Sequence, residues 1–192
     1  MTIFLILAPY GVFTFLMLAG PALAAVFAAF LISLAVIARD GIRGRSLKIF
    51  GVGGAVVFAA IGLYLTFIDP GLATSKVRLA VDTGIFIVAV GSMLVRLPFS
   101  LQYALEAVPA ETAAMPGFLR ANYIITGAWA AASLLMMLSN LALLYVPGLP
   151  IWTSMLIAFA ARNSALYFTR WYPQYRERKY GALPAAALPS AQ

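Results

Sequence analysis

The chain has 192 residues, 64% of them hydrophobic and 10% charged, with a formal net charge of +7 and a mean hydropathy of +0.97. It carries far more apolar surface than one soluble core could bury, which excludes a soluble domain of this size. The absence of Cys and His removes disulfide exchange, His-based acid–base catalysis, haem ligation by His and zinc sites built on either residue.

A bilayer core of about 30 Å is crossed by roughly 20 apolar helical residues. Six segments qualify in chain order: Ile3–Ala19, Pro21–Ala38, Ile49–Ile68, Val77–Val95, Asn122–Tyr145 and Pro150–Phe168. The expected fold class is therefore all-α, a polytopic transmembrane helical bundle of about six spans. It forms a single transmembrane domain over residues 1–172, followed by a cytoplasmic tail over 173–192.

The first 25 residues resemble a signal peptide ending in the small-residue site Ala22 to Ala24, but no positive n-region precedes the apolar run. They are read as a membrane hairpin turning at Gly20-Pro21, spanning or, as the alternative, re-entrant.

After the second span comes Asp40-Gly41-Ile42-Arg43-Gly44-Arg45. This run resembles the start of the signature of the membrane phospholipid synthases that transfer an alcohol phosphate from a CDP-lipid. In that family two further carboxylates on the next helix complete a divalent-metal site. Gly54 falls at the required spacing, but the carboxylate positions hold Phe58 and Gly62. The metal site cannot be assembled, so the family is rejected. The stretch reads instead as a Gly-rich basic turn in which Asp40 caps or pairs locally with Arg43. Its cations Arg39, Arg43, Arg45 and Lys48 are expected to meet anionic lipid headgroups, at roughly 1 kcal/mol each.

Small residues recur at helix-packing spacing in Gly51, Ala55 and Ala59, in Gly127 and Ala131, and in Ala161 and Ala165, a pattern that lets membrane helices approach closely. Between the fourth and fifth spans, residues 98–108 are too polar to span. Leu97, Leu101, Leu105 and Val108 share one helical face away from Ser100, Gln102 and Glu106, and Pro98 suits a helix start. This predicts a short helix lying in the cytoplasmic interface, as a connector or as a gate or docking element.

The basic residues orient the chain. Arg39, Arg43, Arg45, Lys48, Arg96, Arg120, Arg170, Arg176, Arg178 and Lys179 fall on one side, against Lys76 and Arg78 on the other. Six spans then place both termini in the cytoplasm. The positive charge is thus assigned to topology and lipid rather than to nucleic acid. Trp152 and Trp171 bracket the last span at a separation of about 28 Å of helix, and Tyr123 and Tyr145 bracket the fifth.

Arg162 lies between those two Trp residues, near mid-bilayer, where a charge costs at least about 2.5 kcal/mol. Asp82 and Asn140 are the polar residues expected to answer it, as an Asp82–Arg162 pair supported by Asn140. The competing reading has Arg162 bonding backbone carbonyls or snorkelling, while Asp82 pairs with Arg78 one turn away.

Phe118, Asn122, Trp129 and Asn140 in FLRANYIITGAWAAASLLMMLSN resemble the Trp/Asn pattern of bacterial intracellular septation protein A, the YciB-type inner-membrane family. The Pro9 to Phe15 hairpin, Lys76 before the fourth span and Arg96-Leu97-Pro98 after it add to the likeness. Phe118 stands where that family has Trp, and the Asn122 to Trp129 interval is one helical turn longer. The resemblance implies a cell-envelope role in septation, elongation or membrane maintenance.

The expected function is that of a non-enzymatic bacterial inner (plasma) membrane protein acting through contacts with other membrane proteins. The alternatives are a small-solute or ion transporter or channel with a polar path near Asp82, Asn140 and Arg162, as a single chain or a homo-oligomer, and an accessory subunit of a larger membrane complex. No paired carboxylates and no nucleophile with a base are visible, so no catalytic, metal-binding or cofactor-binding residue is expected.

Overall fold

A computed structural model describes residues 2–180. The described chain is all-helical: α1 (Thr2–Ala19), α2 (Ala22–Ile42), α3 (Ile49–Phe67), α4 (Thr74–Leu94), α5 (Phe99–Ala107), α6 (Ala110–Ala113), α7 (Phe118–Tyr145) and α8 (Ile151–Tyr180). Four of these, α2, α3, α4 and α7, are long and apolar enough to cross a membrane. The other two expected spans, in α1 and α8, are not among the four. The described part of α1 is apolar over Leu7–Leu18, and in α8 Arg162, Asn163 and Ser164 interrupt the apolar sequence. α8 also continues through Pro173 to Tyr180, so the first part of the expected tail is helical; residues 181–192 lie outside the described residues.

The long helices run back and forth, so that α1 packs on α2, α2 on α3, α3 on α4, α4 on α7 and α7 on α8. One end of the bundle holds the basic 43–48 loop and the α5–α6 segment; the opposite end holds the turns at residues 20–21, 68–73 and 146–150. Aromatic side chains fill the centre. Tyr10 lies 5.4 Å from Phe50 and 5.5 Å from Phe58, Phe13 lies 5.6 Å from Phe58, and Phe50 stacks on Phe99 at 4.4 Å. Outward faces are apolar instead, with Phe15, Leu31, Val56, Ile87 and Phe159 each more than half exposed. Together with the four long apolar helices, this is the surface of a membrane-embedded protein.

The α3–α4 contact depends on reciprocal glycines. A methyl group at Gly53 would lie 2.7 Å from the side chain of Val88, and one at Gly84 would lie 2.6 Å from Val57. Each helix thus places a Val where the other has only hydrogen. Gly54 likewise leaves room for the Tyr10 hydroxyl, and Gly62 faces Val26 and Phe27. The three positions after the Asp40-Gly41 run that would carry the phospholipid-synthase signature, Gly54, Phe58 and Gly62, are thus packing positions. Of the other small-residue stripes, Ala161 and Ala165 are buried against α7, whereas Ala131 is exposed.

The Asp40–Arg45 run is a helix C-cap. Arg45 N–H donates to Asp40 O at 2.9 Å and Gly44 N–H to Gly41 O at 3.0 Å, with Gly44 at φ +65°. This is the Schellman arrangement, in which a residue without a Cβ takes the left-handed position at least cost. The expected Asp40–Arg43 pair is corrected: Asp40 is 3.8 Å from Arg39 and 3.9 Å from Arg45, because the cap folds Arg45 back over the last turn. The same hydrogen bonds recur after α4, from Leu97 N–H to Ser92 O and from Arg96 N–H to Met93 O. There the left-handed residue is Arg96, at φ 62°.

Candidate functional site

Asn122, Trp129 and Asn140 are spaced by seven and eleven residues, close to two and three whole helical turns, and so share one face of α7. Each reaches a different helix. Ser100 of α5 meets Asn122 at 2.9 Å to its carbonyl and 3.0 Å to its amide oxygen, and receives a hydrogen bond from Thr126 at 3.0 Å. Trp129 donates to Thr169 of α8 at 2.9 Å. Asn140 donates to Asp82 of α4 at 2.7 Å and accepts from Ser154 of α8 at 3.0 Å. Asn122, Trp129 and Asn140 are therefore polar rivets between α7 and its neighbours. Of their partners, Ser100 belongs to the polar side of the 98–108 stretch, whereas Thr169 and Ser154 escape sequence reading because a lone Ser or Thr in an apolar run carries no signal of its own.

Asp82, Asn140, Ser139 and Ser154 form one buried cluster, each below 10% exposure, with Ser139 and Ser154 hydroxyls 3.2 Å apart. It lies towards the end where α4 and α8 begin. Side chains on a helix lean towards its N-terminus, so Asp82 and Arg162 both lean towards that end.

Asp82 and Arg162 are not in ion-pair contact, and neither are Asp82 and Arg78. The charges of Arg162 and Arg78 both act on Asp82 from farther away, while each guanidinium is anchored on α1. Arg162 Nη1 donates to Thr14 Oγ1 at 3.3 Å, and Arg78 Nη2 donates to Met17 O at 3.1 Å. The Met17 carbonyl belongs to the last turn of α1, where carbonyls lack helical partners and a cation is favoured. The expected direct Asp82–Arg162 pair is thus replaced by an Asp82–Asn140 hydrogen bond. A neutral amide answers the carboxylate because Asn140 lies opposite Asp82 across the α4–α7 contact, while Arg162 departs from α8 towards α1.

At the basic end, Lys48 departs from its expected role as a headgroup contact. It is 4% exposed, with Nζ 2.6 Å from Glu106 Oε1 and 5.4 Å from the centre of the Tyr103 ring. Gln102 Oε1 accepts from Ile49 N–H at 2.7 Å, capping the first turn of α3, and Ser46 donates to Glu106 at 3.2 Å. α5 therefore clasps the loop between α2 and α3 with its polar side. Leu97 and Leu105 of the expected apolar face point away from the protein, about half exposed. The hydrogen bond from Lys48 holds the Glu106 carboxyl below its ordinary pKa, and burial raises that of the Tyr103 hydroxyl. A groove of about 440 Å³ lies beside the clasp, lined by Gly44, Arg45, Ser46, Tyr103, Glu106 and Ala107. Arg43 and Arg45 are exposed beside it and Arg39 partly so.

Among the described residues no group of three or more His, Cys, Asp or Glu side chains could hold a metal ion. No protein-family model, curated protein or solved structure matches this chain.

Proposed function

We propose that this chain is a multi-pass protein of the bacterial inner membrane, with six spans and both termini in the cytoplasm, that serves the cell envelope through contacts with other membrane proteins. The observation that carries this reading is how the polar residues of the bundle are used. Asn122, Trp129, Asn140, Ser139 and Ser154 are spent on hydrogen bonds between helices, which suits a scaffold more than a path for solute. The likeness of the α7 residues to intracellular septation protein A directs the role towards septation or envelope maintenance. The exposed apolar faces are the surfaces offered to lipid and to neighbouring membrane proteins.

A small-solute or ion transporter is the second reading. It is favoured by one observation: Asp82, Arg78 and Arg162 are charged, lie in or beside the spans and are not in ion-pair contact with one another.

Both readings are tested by deleting the chain, complementing with Asp82→Asn and Arg162→Gln variants of normal folded yield, and assaying ion and small-solute flux in proteoliposomes. The scaffold reading expects normal septation in the complemented cells and no flux from the wild type. Flux that disappears in the variants would replace it with transport.

A further inference from the structure

Thr14 and Met17 are three residues apart on α1, so the anchors of Arg162 and Arg78 lie one turn apart, about 4.5 Å along the helix. Two guanidinium groups are thus docked on successive turns of the same helix, one from α8 and one from α4. Each carries five N–H donors, and among the described residues they make one hydrogen bond apiece, Arg162 to Thr14 and Arg78 to Met17. The Thr14 hydroxyl proton is itself directed to Tyr10 O at 2.8 Å, so Thr14 acts only as an acceptor for Arg162.

Among the described residues the nearby carboxylate is Asp82, whose Oδ2 accepts from Asn140 and which is in ion-pair contact with neither arginine. Two cations and one anion leave this cluster with one net positive charge in a membrane-embedded bundle, where an uncompensated charge is costly. A second copy of the chain cannot supply the missing anion from its spans. Asp82 is the only acid within them: Asp40 belongs to the basic turn, Asp69 to the 68–73 turn, Glu106 and Glu111 to the α5–α6 segment, and Glu177 to the distal part of α8. The two anchors are about 3 and 7 Å inside the end of α1 by helical rise, within reach of a headgroup phosphate drawn slightly inward.

We infer that Arg78 and Arg162, held apart on α1 by Met17 and Thr14, form a binding site for one oxyanion of the phosphate class, carried by a lipid headgroup or supplied as free phosphate. Planar guanidinium forks match a phosphate bidentately, and the bound anion would balance the excess charge. This site does not rest on the scaffold reading, and it is built from two of the charges on which the transport reading draws.

The experiment uses the full chain in a maltoside detergent, which contains no phosphate. The melting temperature is followed by Trp fluorescence during titration with short-chain phosphatidylglycerol or with inorganic phosphate, against chloride at matched ionic strength, and stoichiometry is read by native mass spectrometry. The expected result is a saturable rise on the order of 5 °C at a hundredfold excess over Kd, with one anion bound per chain. The rise should be lost in Arg78→Gln/Arg162→Gln and kept in Arg43→Gln/Arg45→Gln. A response to phosphatidylglycerol alone assigns the lipid as the source; a response to inorganic phosphate as well assigns the free group. Should the double variant not fold, Arg78→Lys and Arg162→Lys, which keep the charge but lose the fork, are each expected to weaken binding about tenfold. The inference is overturned if neither anion produces a saturable shift, if the shift survives the double glutamine replacement or keeps its wild-type midpoint in both lysine variants, or if it disappears in the Arg43/Arg45 variant instead. It is also overturned if only co-expression with an acidic membrane protein stabilises the chain.

Discussion

The amide of Asn140 lies 2.7 Å from the carboxylate of Asp82, joining α7 to α4 across 58 residues of sequence. Asn140 is the middle of a longer chain of contacts, since its amide oxygen also receives the Ser154 hydroxyl of α8. One side chain thus ties three helices together.

Replacing Asn140 with Ala removes that tie and leaves the Asp82 carboxylate without its donor. The expected loss is about 1–3 kcal/mol, measurable by SDS-titrated unfolding in mixed micelles. Combined with Asp82→Ala it should show a coupling of about 1 kcal/mol in a double-mutant cycle. Strict additivity of the two changes would mean the hydrogen bond contributes nothing to stability.

Gly54 and Tyr10 make a second coupled pair. Gly54→Ala drives a methyl group into the Tyr10 hydroxyl and is expected to destabilise the bundle by about 1–3 kcal/mol. Tyr10→Phe removes the oxygen, so the Gly54→Ala/Tyr10→Phe chain should recover part of the loss in a thermal melt. No recovery would mean that the α1–α3 contact is looser than the packing indicates.

The Lys48–Glu106 clasp predicts an acid sensitivity. Glu106 has a lowered carboxyl pKa in the folded chain, caused first by its hydrogen bond from Lys48. Its contribution is therefore present above the unfolded value of about 4.3 and is lost as pH falls through the lowered folded value. Melting temperature followed from pH 7 down to about 3 should fall less steeply in Glu106→Gln than in wild type over the acid limb. Parallel curves would assign the acid sensitivity to other carboxylates.

The proposed topology is open to direct labelling because the chain has no Cys. Single-Cys variants at Arg43 and Ala114 should react with a membrane-impermeant maleimide only from the cytoplasmic side, and those at Ala73 and Pro147 only from the opposite side. Labelling of Arg43→Cys and Ala73→Cys from the same side would remove the six-span arrangement.

The four long apolar helices are legible in the sequence because a membrane helix satisfies its backbone within itself, so the length of an apolar run sets the element with little help from the rest of the chain. That is why Ile49–Ile68 was recognised and α3 covers Ile49–Phe67, and why the polar 98–108 stretch stood out as something else. Arg162 interrupts its run, and α8 is accordingly not among the four helices that meet the length and hydropathy of a span.

What each polar side chain touches depended on helix rotation and on which helices became neighbours, and a one-dimensional pattern holds neither. Lys48 illustrates the difference: in sequence it is one of four cations in a basic turn, and in the fold α5 returns 58 residues later to cover it and pair it with Glu106. Arg162 and Asp82 illustrate it again. The sequence alone identified both as charges that need an answer, because burying charge in apolar surroundings is costly wherever it occurs. Only the tertiary structure assigned the answers, Asn140 to one and Thr14 to the other, because α7 packs against α4 while Arg162 reaches across from α8 to α1.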